Sequence, residues 1–192
     1  MCVRVHLNLK ISPVSKTSPL ASARPIAPPA VAPSARRIQT RNSTVHGKGV
    51  FAVAPLAEGE TVIEYTGELI TWKEALRRHP HDPSDPNHTF YFHIDDKHVI
   101  DAKQGGNSSR WINHSCKPNC EADEAAGRVF IKTLRNIEPG EELFYNYGLV
   151  IDGKIDKKLK AEYACRCGAK KCRGTMLARA DKPEKKKKKK KK

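Results

Sequence analysis

No apolar run in this chain approaches the ~20 residues that a helix needs to cross a bilayer, so a transmembrane helix is excluded. Residues 1–37 lack any acid and any aromatic, while six of the 13 prolines fall there. Such a stretch cannot bury enough apolar area to offset the entropy of ordering it, and a disordered basic Ala/Pro-rich tail is expected over 1–37. It has no apolar stretch of the kind a secretory signal needs, and its prolines are too dense for the amphipathic helix of a transit peptide. A G-x-S-x-G elbow and internal repeats are also missing. Aromatics reach only 6% of the residues, yet with the aliphatics they suffice for one globular core, which excludes disorder throughout.

What is present in excess is positive charge: 36 Lys and Arg against 21 Asp and Glu, a net +15 over 192 residues. Taken whole, that figure suggests a nucleic-acid-binding fold. Its distribution argues otherwise. Residues 1–37 carry six basic residues and no acid, residues 181–192 carry nine lysines against two acids, and residues 38–180 carry 21 basic against 19 acidic residues. A near-neutral domain thus sits between two basic tails. Lys185–Lys192 is an unbroken run of lysines, expected as a disordered, solvated poly-Lys tail over 179–192. It would give non-specific nucleic-acid contact with a salt slope of roughly −7 if all eight engaged phosphates.

Between the tails the pattern is mostly β with little helix. Val50–Val53, Thr61–Tyr65, Arg128–Leu134 and Glu142–Tyr145 read as strands, and Phe90–Ile94 with His98–Asp101 as a hairpin. Thr71-Trp72-Lys73-Glu74 is a capping box that starts one helix, which stops by Pro80. The His/Pro/Asp-rich residues 79–88 form a loop.

Two clusters carry chemistry. Cys165, Cys167 and Cys172 form C-x-C-x4-C around Gly168, and three thiolates leave a tetrahedral Zn²⁺ one ligand short. The fourth donor is Cys116 or Cys120, with Cys116 taken as the ligand; zinc would then tie the C-terminal segment to the domain. Disulfides find no support without a secretory signal. The second cluster is Arg110-Trp111-Ile112-Asn113-His114-Ser115-Cys116-Lys117-Pro118-Asn119. Its His-Ser pair is no hydrolase, because adjacent side chains rarely face one another. So many polar groups beside a metal ligand need partners, and a polar ligand would satisfy some of them.

With this string in the middle, the chain resembles a SET-domain protein-lysine N-methyltransferase with a post-SET zinc segment, of the trithorax-like type in the compact form found in some bacterial proteins. The other motifs that carry the resemblance are His46-Gly47-Lys48-Gly49-Val50-Phe51, Glu64-Tyr65-Thr66-Gly67-Glu68, and Gly140 to Gly148, with the C-x-C-x4-C after them. The resemblance implies a mostly β fold of small curved sheets with a C-terminal pseudoknot. It places a SET domain at 38–150 and a post-SET zinc segment at 151–178.

The resemblance further implies S-adenosylmethionine as methyl donor, held by His46, Gly47, Lys48, Gly49, Tyr91, Arg110, Asn113 and His114, with Met176 or Leu177 over the adenine. Tyr147 takes the catalytic position, and Tyr65 and Tyr145 line the lysine channel. Tyr145, where the family carries Phe or Tyr, points to mono- and dimethylation. Asn146 stands where the family usually has Asp. The implied substrate is a basic protein such as a histone or histone-like protein, met by a monomer with no membrane contact. The place of action would be the chromosome: nucleus in a eukaryote, cytoplasm or nucleoid (or a host, as a secreted effector) for a bacterium. The alternative is a catalytically weak SET-fold module that binds chromatin or nucleic acid.

Overall fold

The computed structural model describes residues 36–79, 89–151 and 155–178. The expected tails, apart from Arg36 and Arg37, and all of the expected loop except His79 lie outside the described residues.

Strands β1 (Ile38–Asn42) and β2 (Lys48–Ala52) form an antiparallel hairpin in register from Ile38↔Ala52 to Asn42↔Lys48. Its turn needs Gly47, whose φ of 46° lies in the left-handed region that a side chain disfavours. Strand β3 (Thr61–Tyr65) is followed by β4 (Glu68–Thr71) and helix α1 (Trp72–Arg78). Then come β5 (Tyr91–His93), β6 (His98–Asp101), a 3₁₀ turn at Ser108–Trp111 and β7 (Asn113–His114). Strands β8 (Cys120–Ala125), β9 (Arg128–Thr133) and β10 (Phe144–Tyr145) and helix α2 (Lys157–Glu162) complete the order.

The strands make four small sheets: β1-β2, β3-β9-β8, β4-β6-β5 and β10-β7. Only the β7·β10 pair is parallel, joining Phe144 to Asn113 and Tyr145 to His114. The Asn119 side chain fixes this crossing. It donates to the Glu142 carbonyl (2.8 Å) and accepts from the Phe144 N–H (2.7 Å). One core of Val50, Leu56, Ile112, Val129, Ile131, Ile137 and Leu143, all essentially inaccessible, fills the space between the sheets. A separate cluster of Ile151, Tyr163 and Leu177 seats the C-terminal segment.

The strand at Thr61–Tyr65 and the hairpin of β5 and β6 fall where the sequence places them. The strand expected over Glu142–Tyr145 shrinks to Phe144–Tyr145, because Glu142 turns its side chain inward and forms only an isolated bridge to Phe51. Thr71 caps helix α1 as expected, its hydroxyl accepting from the Glu74 N–H (3.2 Å). The Glu74 carboxylate turns instead to Arg77 and Arg78. Seven residues make no stable helix alone, and α1 is tethered on three sides. The Trp72 N–H donates to the Lys97 carbonyl, the Tyr91 hydroxyl donates to the Ala75 carbonyl, and Arg78 pairs with Glu68 and with Asp101, which is fully buried.

Candidate active site

A cleft of about 560 Å³ runs between the 3₁₀ turn with β7 and β10 on one side and α1 with the 161–166 and Met176 segments on the other. Its floor is a row of aromatic rings in contact. Ring centroids are 5.0 Å apart for Tyr65 and Phe92, 6.4 Å for Phe92 and Tyr145, 4.9 Å for Tyr145 and Tyr147, and 5.4 Å for Tyr147 and His114. The parallel β7·β10 pair makes this row possible: it sets Tyr145 beside His114 by main-chain bonding, so residues 31 apart share one rung.

The three tyrosine hydroxyls are not equivalent. Tyr147 donates its proton to the Ile112 carbonyl (2.8 Å) and Tyr65 donates to the Phe90 carbonyl (3.0 Å). The Tyr145 hydroxyl makes no hydrogen bond among the described residues. Burial pushes all three phenols well above their ordinary pKa, so each stays protonated at neutral pH. Tyr147, with its proton committed to the main chain, has only oxygen lone pairs left to offer. Tyr145 is free to donate as well as accept.

At the other end of the cleft, Asn113 organises the turn after β1. Its amide donates to the carbonyls of His46 (3.2 Å) and Lys48 (2.9 Å) and to Glu142 Oε1 (2.9 Å). The Lys48 ammonium lies 4.8 Å from the Trp111 ring centre, and the Arg110 guanidinium 5.0 Å from the same ring. Arg110 also donates to the Ala102 carbonyl (2.9 Å), while its Nε is buried with no hydrogen-bond partner. A buried guanidinium donor without a partner is costly, and Arg110 lines the cleft. His114 is held neutral, pushed down to about 4 by burial and by Arg173. Its Nδ1 accepts from the Tyr147 N–H (3.0 Å), which leaves the ring proton on Nε2, 3.6 Å from Cys116 Sγ.

The sulfurs of Cys116, Cys165, Cys167 and Cys172 lie within 4.8 Å of one another. A Zn–S bond of about 2.3 Å in a tetrahedron puts neighbouring sulfurs about 3.8 Å apart. Cys116 Sγ lies 3.7 Å from Cys165 Sγ and 3.9 Å from Cys172 Sγ. Three main-chain N–H groups point at these sulfurs, each at 3.4 Å: Cys116 to Cys167, Arg173 to Cys116, and Gly174 to Cys172. Burial raises the Cys167 thiol, but the N–H groups of Cys116 and Ala169 outweigh it and bring the pKa down to about 6. Such donors suit thiolates, and the set fits Zn²⁺. Cys120 is not part of it. It is fully buried in the core, where burial pushes its thiol up to about 12.

Residues 47–148 match the family model of the SET domain. The chain belongs to the SET-domain family. Three relatives illustrate the match. They are histone-lysine N-methyltransferase set-2 of Caenorhabditis elegans (39% identical, over 73% of this chain and 9% of the relative), histone-lysine N-methyltransferase ash1 of Drosophila melanogaster (34%, 77% and 6%) and human histone-lysine N-methyltransferase 2B (38%, 68% and 5%). The chain thus spans under a tenth of the length of these relatives. Among solved structures, its SET domain resembles ctPRC2 in an autoinhibited conformation bound to S-adenosylmethionine, at TM-score 0.54 and 34% identity. That likeness covers 60% of this chain and 15% of the other.

Of the residues singled out in the sequence, His46, Gly47, Lys48, Tyr65, Tyr91, Arg110, Asn113, His114, Tyr145 and Tyr147 line one cleft. Gly49 and Leu177 do not. Gly49 faces Glu142, where a Cβ would sit 2.2 Å from the carboxylate. Leu177 is turned into the cluster with Ile151 and Tyr163, and its neighbour Met176 lines the cleft instead. Sequence reasoning missed Glu142, which steadies Asn113, and Arg173, which donates to Asn146 Oδ1 (2.8 Å). That oxygen also accepts from the Gly148 N–H (3.3 Å). In this SET domain Asn146 therefore keeps the two contacts that a carboxylate would make, without the charge. The one signal for Arg173 was its place directly after Cys172, where its N–H meets Cys116 Sγ at 3.4 Å.

Proposed function

We propose that this SET domain transfers methyl groups from S-adenosylmethionine to lysine ε-amines of a basic protein, a histone or histone-like protein, and that it does so at the chromosome. The observation that carries the reading is the row Tyr65, Phe92, Tyr145 and Tyr147 with its split hydroxyl roles. A protonated lysine, with a pKa of ~10.4 in water, has no lone pair to give. A slot walled by aromatic rings disfavours the ammonium and excludes water, so an inserted amine is driven toward its neutral form. Tyr147 offers the slot an oxygen and no proton, an acceptor that orients an amine or a polarised methyl group and takes no proton in the reaction. Tyr145 has a hydroxyl to spare for a water or for the amine, which leaves less room for bulk on nitrogen and supports mono- and dimethylation.

The remaining parts have roles to match. His46, Gly47, Lys48, Arg110, Asn113 and His114 hold the donor, which supplies an electrophilic methyl group on sulfur. Arg110, with its partnerless buried Nε, has a donor to offer an anionic or carbonyl group. Cys116, Cys165, Cys167 and Cys172 hold zinc, which fastens the 161–166 wall of the cleft. We infer a division at about residue 150 between the SET domain and the zinc segment, and a monomer in solution.

The test is transfer of tritiated methyl from S-adenosylmethionine to histones, with Tyr147→Phe as control. Incorporation into histone that Tyr147→Phe lowers at least a hundredfold is expected. Absence of transfer to any basic protein, with no calorimetric binding of S-adenosylmethionine, would overturn the proposal.

A further inference from the structure

We infer that the cleft also accepts lysines from this chain's own run Lys185–Lys192, so that the protein methylates itself in cis. The inference rests on the methyltransferase reading above. Ala178 is the last described residue before the run, and it is fixed at the cleft. Its N–H donates to the Leu149 carbonyl (2.7 Å), Leu149 pairs with the buried Leu177, and Leu149 and Met176 both line the cleft. The segment that ends at Ala178 is therefore part of the wall of the same cleft that the aromatic row floors.

Reach is not limiting. Lys185 lies seven residues beyond Ala178 and Lys192 fourteen, so extended chain spans up to about 23 Å and about 46 Å. A short tether of this kind holds its acceptor at an effective concentration on the order of millimolar. Eight consecutive acceptors remove any need for one register. Adjacent ammonium groups also disfavour one another's charge, which raises the share of neutral amine at a given pH over that of a lone lysine.

The chemistry balances without a further reagent. The lone pair of a neutral ε-amine forms the N–C bond as the methyl C–S bond breaks. The bonding pair stays on sulfur, giving the thioether S-adenosylhomocysteine, and the new ammonium loses a proton to solvent before another round. Each methylated lysine keeps its positive charge, so the run keeps its attraction for polyanions.

The experiment uses the full chain with tritiated S-adenosylmethionine and no other acceptor, followed by mass mapping. Methyl groups on Lys185–Lys192 are expected, with a rate per molecule that is constant between about 0.1 and 10 μM, as an intramolecular step requires. Mixing with ¹⁵N-labelled Tyr147→Phe chain should leave the heavy lysines unmodified. Replacing the eight lysines by arginine should abolish self-labelling while histone labelling persists. Unlabelled lysines beside labelled histone overturn the cis reading and leave the methyltransferase intact. Labelling of the heavy inactive chain at the rate of the active one also overturns it, in favour of reaction between molecules. Transfer to neither acceptor overturns both.

Discussion

Replacing Gly49 by alanine probes the link between the β1–β2 hairpin and the rest of the cleft. An added Cβ would lie 2.2 Å from Glu142 Oε1, 2.7 Å from Glu142 Cδ and 3.0 Å from Ser43 Cβ. The near atoms belong to the far end of a flexible side chain, so the backbone can stay while the carboxylate swings away. That swing breaks the bonds from Asn113 Nδ2 (2.9 Å) and Ser43 Oγ (3.0 Å). Hydrogen bonds to a charged group contribute about 1.5–3 kcal/mol each, and a carboxylate that can regain water recovers part of this. The net cost should be about 2 kcal/mol. Asn113 then loses one of its three anchors, and the turn at His46 and Lys48 loosens with it. Urea unfolding reads the first effect; calorimetric titration with S-adenosylmethionine reads the second, expected as about a tenfold loss of affinity, or about 1.4 kcal/mol. The deciding comparison is the same substitution in a Glu142→Ala background. There the two nearest obstacles are gone and only the 3.0 Å approach to Ser43 Cβ remains, so Gly49→Ala should cost under about 0.5 kcal/mol, since alanine suits a strand better than glycine. An equal cost in both backgrounds refutes the reasoning, because Glu142 would then not be what the new methyl meets.

The zinc assignment is tested by pairing Cys116→Ser with Cys120→Ser: bound zinc per chain should fall from about one to near zero in the first and stay near one in the second. Asn146→Asp places a carboxylate opposite Arg173 and should stabilise the fold by up to about 1 kcal/mol in thermal unfolding; the gain should vanish when Arg173 is methionine. Tyr145→Phe removes the one floor hydroxyl without a main-chain partner and should shift products toward trimethyl-lysine in mass spectra. Hydrogen bonds from Arg77 and Arg78 hold the Glu74 carboxyl down at about 2. Because the folded value is depressed, its contribution is present in full above the ordinary carboxylate range and fades as pH falls toward 2. Carboxyl titration by NMR should find Glu74 still ionised at pH 3.5.

Much of the cleft was legible because its lining comes from short strings: His46–Lys48, Arg110 to His114 and Tyr145 to Tyr147 each bring two or more side chains to it. Strands with strong β-prone cores, such as Thr61–Tyr65, were legible for the same local reason. Strand β8, Cys120–Ala125, was not, since Glu121, Asp123 and Glu124 give it no β signal. Its place comes from full pairing with β9, which tertiary contact supplies and propensity does not. Gly47 and Gly49 could not be told apart, because a glycine that lines a cleft and a glycine packed against a half-buried carboxylate look alike in sequence. Leu177 and Met176 could not be told apart, because the turn that sends one inward depends on Tyr163 receiving it. The choice of Cys116 over Cys120 likewise needed the core to claim Cys120.

The two-residue ladder between β7 and β10 has a consequence for synthesis. Asn113 and His114 are made 31 residues before Phe144 and Tyr145, and Cys116 56 residues before Cys172. Neither half of the cleft has a floor until the later strand arrives. A growing chain on the ribosome therefore cannot complete the floor until residue 147 has emerged and folded back, and the wall of residues 161–166 and Met176, with the last three thiols, arrives later still.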